Sequence, residues 1–269
     1  MKKIFFTLFA AILFQLVSAQ AYKVSLQSTY KSGIAYLTHY NGANLNVDDS
    51  AAVNSNGLAV FSGSNPLPSG IYAIVFPGKR FTADFLIGKE QVINIKADTA
   101  QLINMTVTGS SENILFQQYQ HYVAKQGKLL TEERQAYINS TTASDSLLHE
   151  KAYRKYNDEL NQYRNNIIKN NPASMMAIIL NAMKEPPYPT KVPLTHQDSA
   201  DNYQFYKTHY WEGITFMDGC IVRTPFFPPK FQRYYRDVMP QDPDSIIKDI
   251  DYKLLLARSS PEMYEYMLN

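Results

Sequence analysis

The sequence contains a single cysteine, Cys220, and this scarcity limits its redox chemistry. A chain with one cysteine can form no internal disulfide and has no C-x-x-C pair to exchange electrons with a substrate. The neighbours of Cys220 are Gly219 and Ile221, which favour a small buried side chain over a reactive thiol. A redox partner that acts through Cys220 alone is kept as an alternative.

The familiar motifs of catalysis, nucleotide binding and metal binding are also missing. The five histidines stand at positions 39, 121, 149, 196 and 209, and none has the H-x-x-x-H or H-E-x-x-H spacing of a metal site. The sequence has no P-loop, no G-x-S-x-G motif and no dinucleotide-binding fingerprint. We therefore predict no catalytic residue, no metal ligand and no cofactor, and we expect a protein that is not an enzyme.

The first 19 residues have the pattern of a secretory signal peptide. Lys2 and Lys3 precede an apolar run over residues 4–17, and small residues lead up to Ala19. This order is typical of a leader that is cleaved after Ala19. We expect export to the periplasm or cell envelope of a Gram-negative bacterium.

Loss of the leader would leave a chain without net charge. The 26 basic residues include Lys2 and Lys3, so 24 would remain against 24 acidic residues. Nucleic acids and anionic membranes attract proteins with a basic excess, so neither is expected as a partner. No later stretch is apolar enough to cross a bilayer, so we expect no transmembrane span after cleavage. The predicted partner is a protein or an envelope ligand.

Residues 22–108 have the pattern of a β-domain. Turn residues separate segments that alternate apolar and polar residues or are rich in β-branched and aromatic ones. Eight such segments recur about every ten residues: YKVSLQS, GIAYLTHY, LNVDDSAAV, GLAVFSG, GIYAIVF, FTADFLI, QVINIKA and NMTVTG. Short strands without intervening helices predict an antiparallel β-sandwich or a partly open barrel.

Helical periodicity begins at Gly109. One apolar seam has residues spaced three and four apart on a helix of about 24 residues, which should pack on a neighbouring helix: Tyr153, Tyr156, Leu160, Tyr163 and Ile167. Cap-plus-proline pairs at Asn171-Pro172, Asp242-Pro243 and Ser260-Pro261 begin further helices. We predict an α+β chain, with a signal peptide at 1–19, a β-sandwich domain at 22–108 and an all-helical domain at 109–269.

The segment from 208 to 245 contains the only tryptophan, the only cysteine and a stiff TPFFPP corner. Prolines in that corner hold an extended backbone that displays two rings, either to a partner or as a wedge between helices. The interaction-surface candidates in this segment are Tyr210, Trp211, Arg223, Phe226 and Phe227.

An enzymatic alternative uses the same segment. His209, Asp218 and Arg223 could converge in a cleft between the two domains, as in a hydrolase. This alternative requires the three side chains to meet in one pocket.

A tripeptide of Asp, then Ser or Thr, then a small apolar residue recurs five times. It is similar to an O-glycosylation sequon of exported proteins in some Gram-negative bacteria, and its hydroxyl residues are Ser50, Thr99, Ser146, Ser199 and Ser245. Capping of helices and turns would also place Asp and Ser at such positions.

Two stretches resemble domains of known families. The first is LPSGIYAIVFPGKRFTADFLIGKEQVINIKADTAQLINMTVTGSSENILFQQY. It resembles the N-terminal β-domain of exported thioredoxin-like, thiol–disulfide interchange proteins of Gram-negative bacteria, the domain-of-unknown-function (DUF) family numbered 4369. The second is THYWEGITFMDGCIVRTPFFPPKFQRYYRDVMPQDPDSI. It resembles the helical domain that follows, the DUF family numbered 5106.

In those relatives a thioredoxin-like domain usually comes next, and its C-x-x-C motif performs the redox chemistry. No residue of this sequence matches that motif, so the resemblance does not transfer the activity. What it implies is a non-enzymatic, exported accessory or binding module of a thioredoxin-like envelope protein, without the redox domain.

Overall fold

A computed structural model describes residues 21–189 and 192–269. The predicted signal peptide and its cleavage site at Ala19 lie outside these residues. Within the described ranges, no helix combines the length and the apolar composition that crossing a bilayer requires.

All eight predicted strands form, and they make two four-stranded sheets. Sheet 1 has the order β4-β1-β7-β8 and sheet 2 has the order β3-β2-β5-β6. The strands are β1 (Tyr22–Ser28), β2 (Ile34–Asn41), β3 (Asn44–Ala52), β4 (Leu58–Gly63), β5 (Gly70–Val75), β6 (Thr82–Ile87), β7 (Val92–Ala97) and β8 (Thr106–Thr108). The predicted sandwich is confirmed, and no closed barrel forms among the described residues.

One strand pair departs from the antiparallel expectation. β1 and β7 run in the same direction, with Val24 beside Ile93 and Leu26 beside Ile95. The other pairs, such as β1 with β4 and β5 with β6, are antiparallel. The chain leaves sheet 1 after β1 and returns to it at β4 and again at β7, which places two distant strands side by side.

The first hydrophobic core lies between the sheets. Alternation along β1 directs Val24 and Leu26 inward while Lys23 stays exposed. Phe61 of β4 and Phe85 of β6 close the same core and are fully buried. Burial of each such side chain contributes about 1.5–3 kcal/mol, so this core stabilises the sandwich.

A second core forms on the outer face of sheet 2, where the helices pack. Ile71 of β5 and Leu86 of β6 belong to this second core together with Phe116, Met176 and Ile179 of the helical part. This explains why β5 is buried along nearly its whole length. The molecule is therefore layered as sheet 1, sheet 2 and helices.

In the described part of the chain, seven α-helices follow the sheets. They are α1 (Ser111–Asn139), α2 (Ala143–Asn170), α3 (Met175–Ala182), α4 (His196–His209), α5 (Phe227–Arg233), α6 (Pro243–Ala257) and α7 (Pro261–Leu268). A short 3-10 turn at Gly219–Ile221 precedes α5, and a π-helical turn at Tyr234–Val238 follows it. The change from strands to helices at Gly109 is as predicted, and the division into two domains stays a prediction.

The predicted apolar seam of α2 packs on α1 in its C-terminal half, whereas Tyr153 at its start is exposed. Tyr163 stacks on Tyr122 of α1 with ring centroids 3.9 Å apart, and Leu160 and Ile167 are buried. The polar residues 127–144 are helical in part: α1 continues without a break to Asn139, residues 140–142 lie between the two helices, and α2 begins at Ala143.

Helix caps follow the sequence signals in most places. The side chains of Asp242 and Ser260 accept hydrogen bonds from backbone N–H groups of α6 and α7, as predicted. α3 is the exception: it begins after Ser174, whose hydroxyl caps the helix, rather than at the predicted Asn171 and Pro172.

Candidate binding groove between α4 and α6

The five interaction-surface candidates separate into core residues and half-buried ones. Tyr210 and Phe227 are fully buried, so they are core residues rather than parts of a surface. The Tyr210 hydroxyl donates a hydrogen bond to the Lys230 carbonyl, 2.9 Å away, which fixes α4 against α5. Trp211, Arg223 and Phe226 are half-buried. The corner that holds Phe226 and Phe227 is a wedge between helices.

Arg223 joins the helical part to sheet 2. Its carbonyl accepts a hydrogen bond from the Ile71 backbone N–H at 3.0 Å. A Cβ on Gly70 would collide with the Cβ of Arg223, so only glycine permits this approach. The Nε and Nη1 atoms of Arg223 are buried without a hydrogen-bond partner.

Cys220 is buried, as the sequence predicted. Only 3 % of the residue is exposed, and it packs in the second core. Burial raises the pKa of the Cys220 thiol well above its usual range, and the nearby Asp218 carboxylate acts in the same direction. Asp218 also accepts a hydrogen bond from the Cys220 backbone N–H at 2.9 Å. The thiol is therefore protonated and shielded, which is the opposite of an activated nucleophile.

We expect Cys220 to be nearly inert toward a disulfide reagent in the folded chain. Reaction with 5,5′-dithiobis(2-nitrobenzoate) at pH 8 should be about a hundredfold slower than in 6 M guanidinium chloride, because the thiolate is both scarce and covered. The release of thionitrobenzoate measures this rate. A folded chain that reacts as fast as free cysteine would contradict the burial of Cys220 and revive the single-cysteine alternative.

The cavities that Asp218 borders do not bring the trio of the hydrolase alternative together. Asp218 and Cys220 border two small cavities, of about 200 Å³ and 320 Å³, whose described lining includes neither His209 nor Arg223. His209 lies at the end of α4, where its Nδ1 is 2.8 Å from the Phe205 carbonyl oxygen and its ring stacks on the Phe205 ring.

Four of the five O-glycosylation candidates occupy a turn or a helix start, and Ser50 lies in β3. Ser50 and Ser199 are exposed, and the other three, Thr99, Ser146 and Ser245, are half-buried. The hydroxyl groups of Ser146 and Ser199 donate hydrogen bonds to backbone carbonyls four residues earlier. These hydrogen bonds explain why serine occurs at the start of α2 and of α4. Glycosylation stays a prediction.

The half-buried Trp211 borders a groove between α4 and α6 with a volume of about 370 Å³. This volume is near the lower limit of small-molecule and peptide-side-chain pockets. Side chains from both helices and from the segments between them make its walls, among them Lys207, Trp211, Phe216, Tyr234, Tyr252 and Leu256.

Four aromatic rings surround the buried ammonium group of Lys253 in this groove. Its Nζ lies 4.6 Å from the ring centroid of Tyr234 and 5.5 Å from that of Tyr235. The centroids of Trp211 and Phe216 are 5.6 Å and 5.7 Å away. Aromatic faces attract cations, which partly compensates an ammonium that is only 3 % exposed.

Asp249 completes the charge balance of Lys253. The two side chains form an ion pair four residues apart on α6. The hydroxyl groups of Tyr234 and Tyr235 donate hydrogen bonds to Asp249 at 3.3 Å and 2.8 Å. Burial lowers the pKa of Lys253, while Asp249 opposes this shift. We call Lys253, Asp249 and the four rings the Lys253 cage.

The groove has more positive than negative charge. Lys207 is close enough to Lys253 to lower its pKa, so two ammonium groups face one carboxylate, Asp249. Tyr252, at the rim, is 61 % exposed. This combination suits a ligand that offers an apolar side chain beside an acidic group.

Sequence reasoning found only one wall of this groove. Trp211 was a candidate, whereas Tyr252, Lys253 and Asp249 of α6 were missed. The four-residue spacing of Asp249 and Lys253 was visible, but such pairs are usually exposed on a helix surface. Within the described residues, no group of three or more His, Cys, Asp or Glu side chains could hold a metal ion.

Comparisons with known proteins identify one part of the chain. No curated protein and no solved structure matches it significantly. Residues 22–116 match the family model described as Domain of unknown function (DUF4369). The matched region covers both sheets and the first residues of α1, and it excludes the groove. The sandwich of this chain is therefore similar to the DUF4369 domain.

Proposed function

We propose that this chain is a non-enzymatic, exported accessory module that binds a protein partner of the cell envelope through the α4–α6 groove. One observation carries the proposal: an aromatic-walled groove with two ammonium groups opens beside the exposed Tyr252. The DUF4369 match and the resemblance to domains of thioredoxin-like envelope proteins support an accessory role in that setting.

The occupant of the groove is a peptide segment of the partner with an aromatic or aliphatic side chain next to an Asp or Glu. The apolar side chain would pack on Trp211 and Tyr252, and its burial would supply most of the affinity. The acidic group would pair with Lys207, whose charge Asp249 does not offset because Asp249 is paired with Lys253. A net positive groove disfavours basic peptides by like-charge repulsion.

Selection from a displayed library of random dodecapeptides on the purified chain tests this proposal. Trp211 is the only tryptophan of the chain, so its fluorescence reports events in the groove directly. We expect enriched peptides to contain an apolar residue beside Asp or Glu. Synthetic, tryptophan-free copies of them should change the Trp211 emission on titration.

Charge reversal at the groove supplies the decisive comparison. Lys207→Glu should weaken binding of these peptides at least tenfold, because a charge-assisted contact becomes repulsive. Lys248→Glu is the matched control, since Lys248 is exposed on α6 and does not border the groove. Library selection without an enriched motif, or equal affinity for wild type and Lys207→Glu, would overturn the proposal.

A further inference from the structure

The α1–α2 hairpin extends beyond the body of the molecule. None of residues 127–159 is buried, although all of them are described and the neighbouring Gln126 and Leu160 are buried. We call residues 127–159 the distal arm. Its α1 portion has 13 residues and is about 20 Å long. Because none of these residues is buried, the two helices leave much of their apolar surface in water here.

One side of the distal arm has an apolar trough between the two helices. Its volume is about 520 Å³, and Tyr137, Ile138 and Tyr153 line it with 49 %, 62 % and 40 % exposure. His149 and Glu133, joined by a 2.7 Å hydrogen bond, also line it. Three large apolar side chains exposed together mark an interaction surface more strongly than scattered ones.

The charge of the arm favours a second copy of the same chain as its occupant. The arm contains five Lys or Arg and six Asp or Glu residues, a net charge of −1. Two copies would therefore repel one another only weakly, and an anionic membrane would gain no electrostatic attraction. The rim has charges of both signs, Arg134 on α1 and Glu150 on α2. A two-fold contact pairs a surface with a copy of itself, so it needs both charges on that surface.

The size of the surface fits a weak dimer. Two adjacent helices about 20 Å long present roughly 500 Å² per copy, or about 1,000 Å² in total, which is the lower limit for a specific interface. Two helical hairpins that meet face to face form a four-helix arrangement, which buries the apolar residues of both. The trough offers both a hollow and the projecting Ile138, so it is self-complementary.

We propose that two copies of this chain associate through their distal arms, trough against trough, into a two-fold four-helix contact. This contact buries Tyr137, Ile138 and Tyr153 of both copies. It is separate from the α4–α6 groove and leaves the groove open, so it does not depend on the proposed function.

Sedimentation velocity of the purified chain between 2 µM and 200 µM tests the proposal. We expect the wild-type chain to shift from monomer toward dimer within this range. Ile138→Glu and Tyr153→Ser, one on each helix, should each weaken the dimer at least tenfold. The first introduces a carboxylate into the contact, and the second removes an aromatic ring from it. Both side chains are exposed, so the variants should keep the far-UV circular dichroism of the wild type.

Leu148→Glu is the matched control. Leu148 is 64 % exposed on the same arm but does not line the trough. At 3.6 residues per turn it points roughly 150° away from the trough-facing side of α2. Its variant should dimerise like the wild type. A wild-type chain that stays monomeric to 200 µM overturns the proposal, as does a dimer that survives Ile138→Glu or that Leu148→Glu disrupts equally.

Discussion

Replacing Gly109 with alanine is expected to destabilise the chain by about 3–5 kcal/mol, among the largest effects of a single methyl group. Gly109 links β8 to α1 with a φ of +98°, a conformation that L-residues rarely adopt. A Cβ at this position would fall well inside contact distance of the Val92 carbonyl oxygen and 3.3 Å from its carbonyl carbon. The backbone must move at the junction of sheet 1 and the helices. Urea unfolding followed by far-UV circular dichroism and by Trp211 fluorescence measures the change.

Gly127→Ala is the matched control for Gly109→Ala. Gly127 lies inside α1, and a Cβ there meets no atom within 4 Å. Alanine removes the entropic penalty of a helical glycine, so this variant should be more stable by about 0.5–1 kcal/mol. The same substitution thus has opposite signs at two glycines. Wild-type stability of Gly109→Ala would mean that the turn before α1 has a different backbone from the one described.

The strands could be predicted because their signals are local. In β1 and β7 the inward and outward residues alternate, and the turns between strands contain Gly, Pro or Asn. The pairing of these strands could not be predicted in this way. β1 and β7 are about 70 residues apart and lie parallel, a choice that depends on how β2–β6 fold between them.

The burial of individual aromatic residues in the segment 208–245 could not be predicted from the sequence either. Tyr210, Trp211, Phe226 and Phe227 look alike as residue types, since each ring can fill a core or face a partner. Their burial depends on what packs against them. Tyr210 is covered by α5 through its bond to the Lys230 carbonyl, whereas Trp211 is left at the edge of the groove.

Lys253 illustrates why half of the groove was missed. On α6 the residues Ile246, Ile250, Lys253 and Ala257 follow a helical spacing that faces the body of the molecule. A lysine at this position indicates that the buried face is interrupted by an exposed residue, because buried lysine is rare unless it is paired. Only the three-dimensional structure shows that Asp249 and four rings provide that pairing.

Asp249→Ala is expected to cost about 3–5 kcal/mol, because it leaves the Lys253 ammonium buried without its carboxylate. It also removes the acceptor of the Tyr234 and Tyr235 hydroxyl groups. Urea unfolding at pH 7 measures the loss. An exposed pair provides the control: Glu132→Ala breaks the Lys128–Glu132 contact of α1, whose side chains are 78 % and 57 % exposed, and should cost no more than about 0.5 kcal/mol.

The double variant Asp249→Ala/Lys253→Met separates charge from packing. Methionine fills the cage without a charge, so the double variant should regain at least half of the stability that Asp249→Ala loses. If it regains nothing, the hydrogen bonds of the two tyrosines, rather than the ion pair, make Asp249 important.

The pH dependence of Asp249→Ala follows from the Lys253 pKa. Burial lowers this pKa in the folded chain, and the loss of Asp249 removes the contact that opposes the shift. Between the lowered folded pKa and the unfolded value of about 10.4, the unfolded chain binds more protons, so stability rises with pH. The stability deficit of Asp249→Ala should therefore be smaller at pH 9.5 than at pH 7. A deficit that stays constant over this range would show that Lys253 is not the charge that Asp249 compensates.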